Sequence, residues 1–448
     1  MCLDRAQHGE RTMSACRVPH RILFAVCTLL LVILAVSGCS EDCPPCPRDG
    51  RILSVRPDGA GRYKTIQDAV DDAWDGDTIE LADGRYHGAG NRDIDLLGKA
   101  ITLRSLSLRA DACTIDCQGG GEDPHRAFHF HWGEEPSTRV EHLTILHGYA
   151  RFDGGGILCE KQSSPTLHEL IVSTCVAMDH GGGLCVKGSS SPLVKSCLFE
   201  SNFGRGGGGV SSTGGSPHIL NSTFEGNRGG FAGGLEIWVP GADEPIVEGC
   251  SFLENTGGSG GAIFVQLARP TIMDCFSSGN SGNFGGFIFC ASGSPIVLRC
   301  ISLKDTASSH GAILHCQGRC DPHLISCTLT QGYSDSLGPE SPGSVVHLHD
   351  NSHAFFTRCI VSFGRSSRAV DCSHPMATCT FSCSDVFGNE FGDWTGCIED
   401  QMSVQGNISA DPLFCGVARG DLHLKTGSPC GADSSGCGQI GALPVYCE

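Results

Sequence analysis

Charge and aromatic rings are both scarce in this sequence: 18% of its 448 residues are charged and 7% aromatic. Basic residues are the scarcer sign, 31 Lys and Arg against 49 Asp and Glu, for a formal net charge of −18. Such a surface repels phosphate backbones, which excludes nucleic acid as a natural partner. There is no sustained 3.6-residue apolar period, which excludes a helical bundle, and one apolar run only, Ile22 to Val36, which excludes a polytopic membrane protein. Apolar residues still make up 40% of the chain, enough for a core and against disorder.

Glycine and cysteine are plentiful instead, 62 and 28 residues, and both recur on a fixed period. A glycine motif starts at Gly154, Gly181, Gly207, Gly233, Gly260 and Gly285, with degenerate copies at His310, Gly343 and Arg368. The steps are 25 to 27 residues except one of 33, which holds an insertion from Gly332 to Gly343. A proline keeps time with it at positions 165, 192, 217, 245, 270, 295 and 322. Two residues after each proline the side chain is apolar (Leu167, Val194, Ile219, Val247, Ile272, Val297, Leu324). Five after it is usually cysteine (Cys197, Cys250, Cys275, Cys300, Cys327), with Ser222 substituting once and Cys359 in the same column. Seven after is often large and apolar: Phe199, Phe224, Phe252, Leu329.

Each unit holds short β-prone runs broken by Gly, Pro, Ser and Asn, and none can bury its apolar face alone. The sequence therefore predicts an all-β fold, a single-stranded right-handed parallel β-helix. The change of parity between the second and fifth positions after proline marks a corner. The glycine pairs mark another, where rungs approach closely and a Cβ would be crowded.

The first residues read differently. Arg17, His20 and Arg21 precede the apolar run, and Val36-Ser37-Gly38-Cys39 follows it. This resembles the leader and lipobox of bacterial lipoproteins, which implies lipid on Cys39; Ser40, by the same likeness, implies sorting to the outer membrane. Residues 1–38 are then the leader, lost with four arginines against Asp4 and Glu10, so the exported chain is more acidic still. Residues 39–50 form a Pro-rich tether whose Cys43 and Cys46 match a redox pair in spacing only.

Phe199–Asn202, Phe224–Asn227, Phe252–Asn255 and Gly260–Ile263 look like the FxxN and GGA[ILV] repeats of chlamydial polymorphic outer-membrane proteins. Val55 to Gly88 resembles the N-terminal cap of pectin-lyase-like proteins. There Thr65 can cap a short helix whose Ile66, Ala69, Val70 and Ala73 share one face. Asp411 to Leu443 is similar to the closing segment of secreted bacterial β-helix proteins. Residues 51–105 are accordingly the N-terminal cap and first rungs, 106–395 the β-helix repeats and 396–448 a loop-rich C-terminal cap.

Pectin-lyase-like enzymes would place Asp, Arg, Gln or Ca²⁺-binding carboxylates on one strand face. The position four after proline holds Glu169, Ser196, Asn221, Gly249, Asp274, Arg299 and Ser326, a mixed solvent-facing set with no column of carboxylates or bases. The GRPW pattern of pectinesterases and the RxPxxR pattern of pectate lyases are absent. Histidine is the better lead. His315, His347, His349 and Asp350 flank the insertion, and His347 and His349 alternate onto one strand face, suitable for a metal or general base. An exposed polar face beside a loop is the plainer reading, and His129 and His131 in Phe128–Trp132 read the same way. No cofactor is evident, and nothing in the pattern supports Ca²⁺.

The cysteine column reads as stacked buried thiols, although export favours bridges. Cys397, Cys415, Cys430, Cys437 and Cys447, in loop-rich sequence, are the better disulfide candidates. The functional expectation is a lipid-anchored surface scaffold that binds a cell-surface glycan or protein without catalysis. The alternative is a polysaccharide lyase or glycoside hydrolase.

Overall fold

A computed structural model describes residues 50–239, 244–335, 343–433 and 436–448. The leader, Cys39 and most of the inserted loop lie outside them. Among the described residues no helix is long and apolar enough to cross a membrane.

Successive repeats stack in register as parallel rungs, so each repeat contributes one strand to each of four sheets. A 13-stranded sheet runs from Ile52–Val55 to Thr378–Ser382 and contains the strands that follow each proline; we call it the proline sheet. Next along each rung is a 12-stranded phenylalanine sheet, from Gly84–His87 to Asp385–Phe387. Eight two-residue strands follow, from Tyr149–Ala150 to Tyr333–Ser334. The rung closes with a 10-stranded glycine sheet, from Phe128–Phe130 to Ser367–Cys372.

The two markers fall where the sequence predicts. The residues two after proline are buried, and the position four after it is a left-handed corner: φ is 49° at Glu169, 54° at Ser196 and 53° at Asp274. Arg299 clasps Asp274 across one rung step with bonds of 2.7 and 2.6 Å. The glycines sit where backbones touch: a Cβ on Gly208 would lie 2.5 Å from the Arg228 carbonyl oxygen and 2.6 Å from that of Gly233.

Inside the coil, like packs on like. Phe199, Phe224 and Phe252 stack with centroids 5.3 and 4.7 Å apart. Cys197, Cys250, Cys275, Cys300, Cys327 and Cys359 are buried thiols. Burial pushes the Cys197 thiol up to about 12, so it stays protonated. Beside them, three residues beyond the phenylalanine position, Asn202, Asn227, Asn255 and Asn280 form a buried ladder. Asn255 Oδ1 accepts the backbone N–H and the side-chain amide of Asn227, both at 3.0 Å, and its own amide donates to the Phe224 carbonyl at 2.8 Å.

The ends of the coil differ. Residues Ile66–Asp72 form the expected helix, capped by Thr65 in a reciprocal box with Asp68, and Ile66, Ala69 and Val70 join the main core. The tail packs on the outside of the coil: Phe414, Leu422, Leu424 and Ile440 cover outward-pointing Leu303 and Ile360 of the phenylalanine sheet. Disulfides join Cys372 to Cys397, Cys383 to Cys437 and Cys415 to Cys447. Cys430 departs from expectation: it is a buried free thiol that packs in the tail's apolar cluster and donates to Asp385 Oδ2 at 3.3 Å.

Replacing Asn255 by Ala leaves the Asn227 backbone N–H and one Asn227 amide proton without their acceptor in a dry interior, while Asn280 Oδ1 keeps the backbone N–H of residue 255. The expected cost is about 1–3 kcal/mol of stability, read as a lower midpoint in chemical denaturation with an unchanged slope.

Candidate functional site

The outer face of the glycine sheet differs from every other outward face because the segment after each short strand folds back over it. After the glycines most rungs carry an apolar–x–apolar triplet (Ser212 takes the third place once), and its middle residue points outward. In register these are His129, Leu158, Cys185, Ser211, Glu236, Phe264, Phe289, His315, His347 and Asp371. A second outward column, two residues on, includes Lys187, Thr213, Trp238, Gln266, Ala291 and Gln317.

At the N-terminal end, His129 Nε2 lies 3.0 Å from Glu160 Oε1 and its ring packs on His131. Burial holds His129 below its ordinary range. Lys187 bridges Asp153 and Glu160 at 2.8 and 3.4 Å. Trp132 stands out beside them, 61% exposed, its indole N–H donating to Asp95.

In the middle, Glu236 is 1% exposed. Its Oε2 accepts the Gly207 N–H at 3.0 Å and lies 2.9 Å from His180 Nδ1. The Glu236 carboxylate raises the imidazole's affinity for a proton, more than burial lowers it. A hollow of about 290 Å³, lined by Asp179, His180, Arg205, Gly206 and Phe231, opens here, with Trp238 half-exposed nearby. A larger hollow of about 780 Å³ lies away from this face, on turns carrying Leu267, Arg269, Arg319 and Asp321.

At the C-terminal end the predicted histidines come together. His315 and His347 are register neighbours with rings stacked at 4.8 Å, and His310 also stacks on His347 at 4.8 Å. His349 joins the same face, 6.4 Å from His347, with Nδ1 2.8 Å from Asp350 Oδ1. Asp350 also accepts the Gly318 N–H at 2.9 Å, the main reason its carboxyl titrates below its usual range. The expectation of an exposed polar face fails for His315 and His347, which are 4% and 3% exposed. They lie in a stack of rings that continues through Phe289 and Phe264, and burial holds His315 well below the usual histidine range.

His347 has two further neighbours: Nδ1 lies 3.1 Å from Asp371 Oδ2, out of line for a strong bond, and Nε2 lies 3.1 Å from Ser373 Oγ. Contact with His347 holds the Asp371 carboxyl below its ordinary range. The order carboxylate, imidazole, hydroxyl is the one acyl-transfer enzymes use, with the imidazole as base.

Reading only the proline column missed Glu236, Asp371, His180, Lys187 and Ser373. The middle residue of the triplet after the glycines would have found the first two. His180 holds the place just before the glycine motif, four residues ahead of Leu184, as Phe231, Phe284 and His310 do in their rungs, so that column would have found it; Ser373 lies beyond the strand, in a turn.

Because the folded His180 binds its proton more tightly than the unfolded chain does, the pair's stabilisation is present at low pH. It is lost as pH rises through the folded value, above the ordinary 6.5. A histidine ring titration followed by NMR should place His180 above 6.5, and Glu236→Gln should bring it down. An unchanged midpoint in that variant would disprove the pairing.

The right-handed β-helix region family model matches residues 155–334. No curated protein matches the sequence. Among solved structures the chain is similar to the pectate lyase Pel9A, at 12% identity and a TM-score of 0.45, covering 89% of this chain and 97% of that one. It is also similar to the PL6 family alginate lyase AlyGC (14%, 0.48, covering 81% and 54%) and to ORF18 of Geobacillus virus E2 (13%, 0.43, covering 74% and 61%). It thus spans less than two thirds of the latter two. The likeness to chlamydial repeats is not among these matches, and the rung geometry accounts for FxxN by itself through the phenylalanine stack and the asparagine ladder. With the repeats paired in parallel and the family model lying across the central rungs, the described residues have the fold of a right-handed parallel β-helix.

Proposed function

We propose that this is an exported, lipid-anchored β-helix protein that binds an extended glycan along the outer face of the glycine sheet and does not cleave it. The observation that carries the reading is the placing of Trp132, Trp238 and Phe231, all substantially exposed, beside His129, Lys187, His180 and Glu236. Amphipathic rings beside a few convergent polar groups are what sugar faces and hydroxyls need. A linear polymer laid along the coil axis meets a new rung about every 4.8 Å, so one set of contacts repeats along its length. Most ionisable groups on this face are already tied to one another, as Lys187 is to Asp153 and Glu236 to His180, which suits recognition better than proton transfer. The anchor rests on the small residues Val36, Ser37 and Gly38 before Cys39.

One observation favours cleavage as a second reading: His347 between Asp371 and Ser373, which suits hydrolysis of an acyl ester on a glycan.

On a glycan array followed by titration, Trp132→Ala and Trp238→Ala should each weaken binding tenfold or more, about 1.4 kcal/mol. Undiminished binding by both variants would remove this face from the reading. Release of acyl groups, reducing ends or unsaturated sugars, lost in His347→Ala, would replace binding with catalysis. For the anchor, Cys39→Ala should move the protein from the detergent phase to the aqueous phase. A variant that still partitions as the wild type does would rule out the lipid.

A further inference from the structure

A separate group of side chains lies on the other side of the coil, where the proline sheet turns into the phenylalanine sheet. Glu141 and His168 are register partners on adjacent rungs and point outward, flanking the buried Val140 and Leu167. Each is followed by a left-handed corner residue, His142 with φ of 56° and Glu169 with φ of 49°. The corner turns those side chains back beside the strand pair, so two rungs deliver two imidazoles and two carboxylates to one spot.

The spacing suits a metal ion. Zinc binds imidazole nitrogen and carboxylate oxygen at about 2.0–2.2 Å, so tetrahedral donors lie about 3.4 Å apart. Here His142 Nδ1 is 3.0 Å from Glu169 Oε2, His168 Nε2 is 3.5 Å from Glu169 Oε1, and His168 Nδ1 is 3.8 Å from Glu141 Oε1. One donor each from Glu141, His142 and His168 falls within 4.8 Å of the others. His142 Nδ1 is shielded from water yet makes no hydrogen bond, since Glu169 is out of line for one. An orphaned imidazole nitrogen facing carboxylates is costly unless something bridges them.

His168 meets the further need of a ligand. With Glu141 near Nδ1 and Glu169 near Nε2, it can present either nitrogen to an ion placed between the two rungs. Arg139 is fixed to Glu141 through Oε1, opposing a cation by its charge while holding the carboxylate in place. Glu169 is half-exposed and touches both imidazoles, so it can turn to complete the shell.

We infer that Glu141, His142 and His168, completed by Glu169, form a site for a divalent transition metal of the zinc class that staples two neighbouring rungs. Calcium is the wrong ion for it, because Ca²⁺ takes six to eight oxygens and this set offers two nitrogens.

The test is calorimetric titration of the purified exported chain with ZnCl₂ and, separately, CaCl₂. One equivalent of Zn²⁺ should bind, with no saturable Ca²⁺ heat. The double variant His142→Ala/His168→Ala should bind Zn²⁺ at least tenfold more weakly, and His347→Ala as the wild type does. Glu141→Gln keeps the side-chain shape and should also weaken binding, so it decides the matter if the double variant loses its β-rich circular dichroism. Zn²⁺ should also raise the melting temperature of the wild type and not of the double variant. Absence of stoichiometric binding overturns the site. So does equal binding by a folded double variant, or loss of binding in His347→Ala, which would assign the ion to the glycine-sheet histidines.

Discussion

In-register parallel stacking at one strand spacing, about 4.8 Å, governs this molecule. Inside the coil each side chain meets its counterpart one rung above and below, so the interior columns favour residues that pack well on themselves. Phenylalanine does so by ring stacking and cysteine by compact apolar contact. Asparagine does so because its amide both donates and accepts, so each rung passes a hydrogen bond to the next. Asp305 occupies the next place in that ladder and accepts only. It gathers Asn280 N–H and Nδ2–H together with the hydroxyls of Ser277 and Ser302 at 2.6 and 2.5 Å. The carboxylate terminates the ladder where an amide would extend it, and its burial raises its pKa.

The same constraint shapes the outside. Like charges stacked rung on rung repel, and several rungs answer one charge with its opposite, although Glu200 and Glu225 stack directly on one another. Arg299 answers Asp274 at the corner, and Lys187 answers Glu160 on the glycine sheet. Where a run of titratable side chains does stack, at His310, His347 and His315, it is imidazole, which can shed its charge. Burial favours that neutral form at His310 and His315.

The glycine-sheet face is set apart by what covers it. The residues between each short strand and the glycines must cross the sheet edge to close the rung, and they bring His180, Phe231, Phe284 and His310 over the outward column. A column that would otherwise be open to solvent becomes a seam with buried polar groups and exposed rims. The glycines that permit this close approach serve the coil's geometry first, and the seam follows from it.

The coil was legible in the sequence because position within a rung dictates residue type. Proline opens the strand, the parity change marks the Glu169 to Arg299 corner, the glycines mark the tight approach, and Thr65 with Ile66, Ala69 and Val70 spells a capped amphipathic helix. Cysteine at a fixed place predicted a buried stack, and Ser222 showed that the column wants small size more than sulfur. The candidate sites were much less legible. His347 and His349 stood out by alternation, but the burial of His347 did not, because it depends on the covering turn and on His310 and His315 from the preceding rung. Glu236 with His180, Asp371 with His347, and Glu141 with His168 are each joined by stacking across rungs. No local pattern encodes which of a rung's outward residues will meet a turn from another. Sequence periodicity fixes which residues share a column, since that follows from strand pairing alone; only the tertiary structure decided which column is roofed, and with it where buried charge and exposed rings come together.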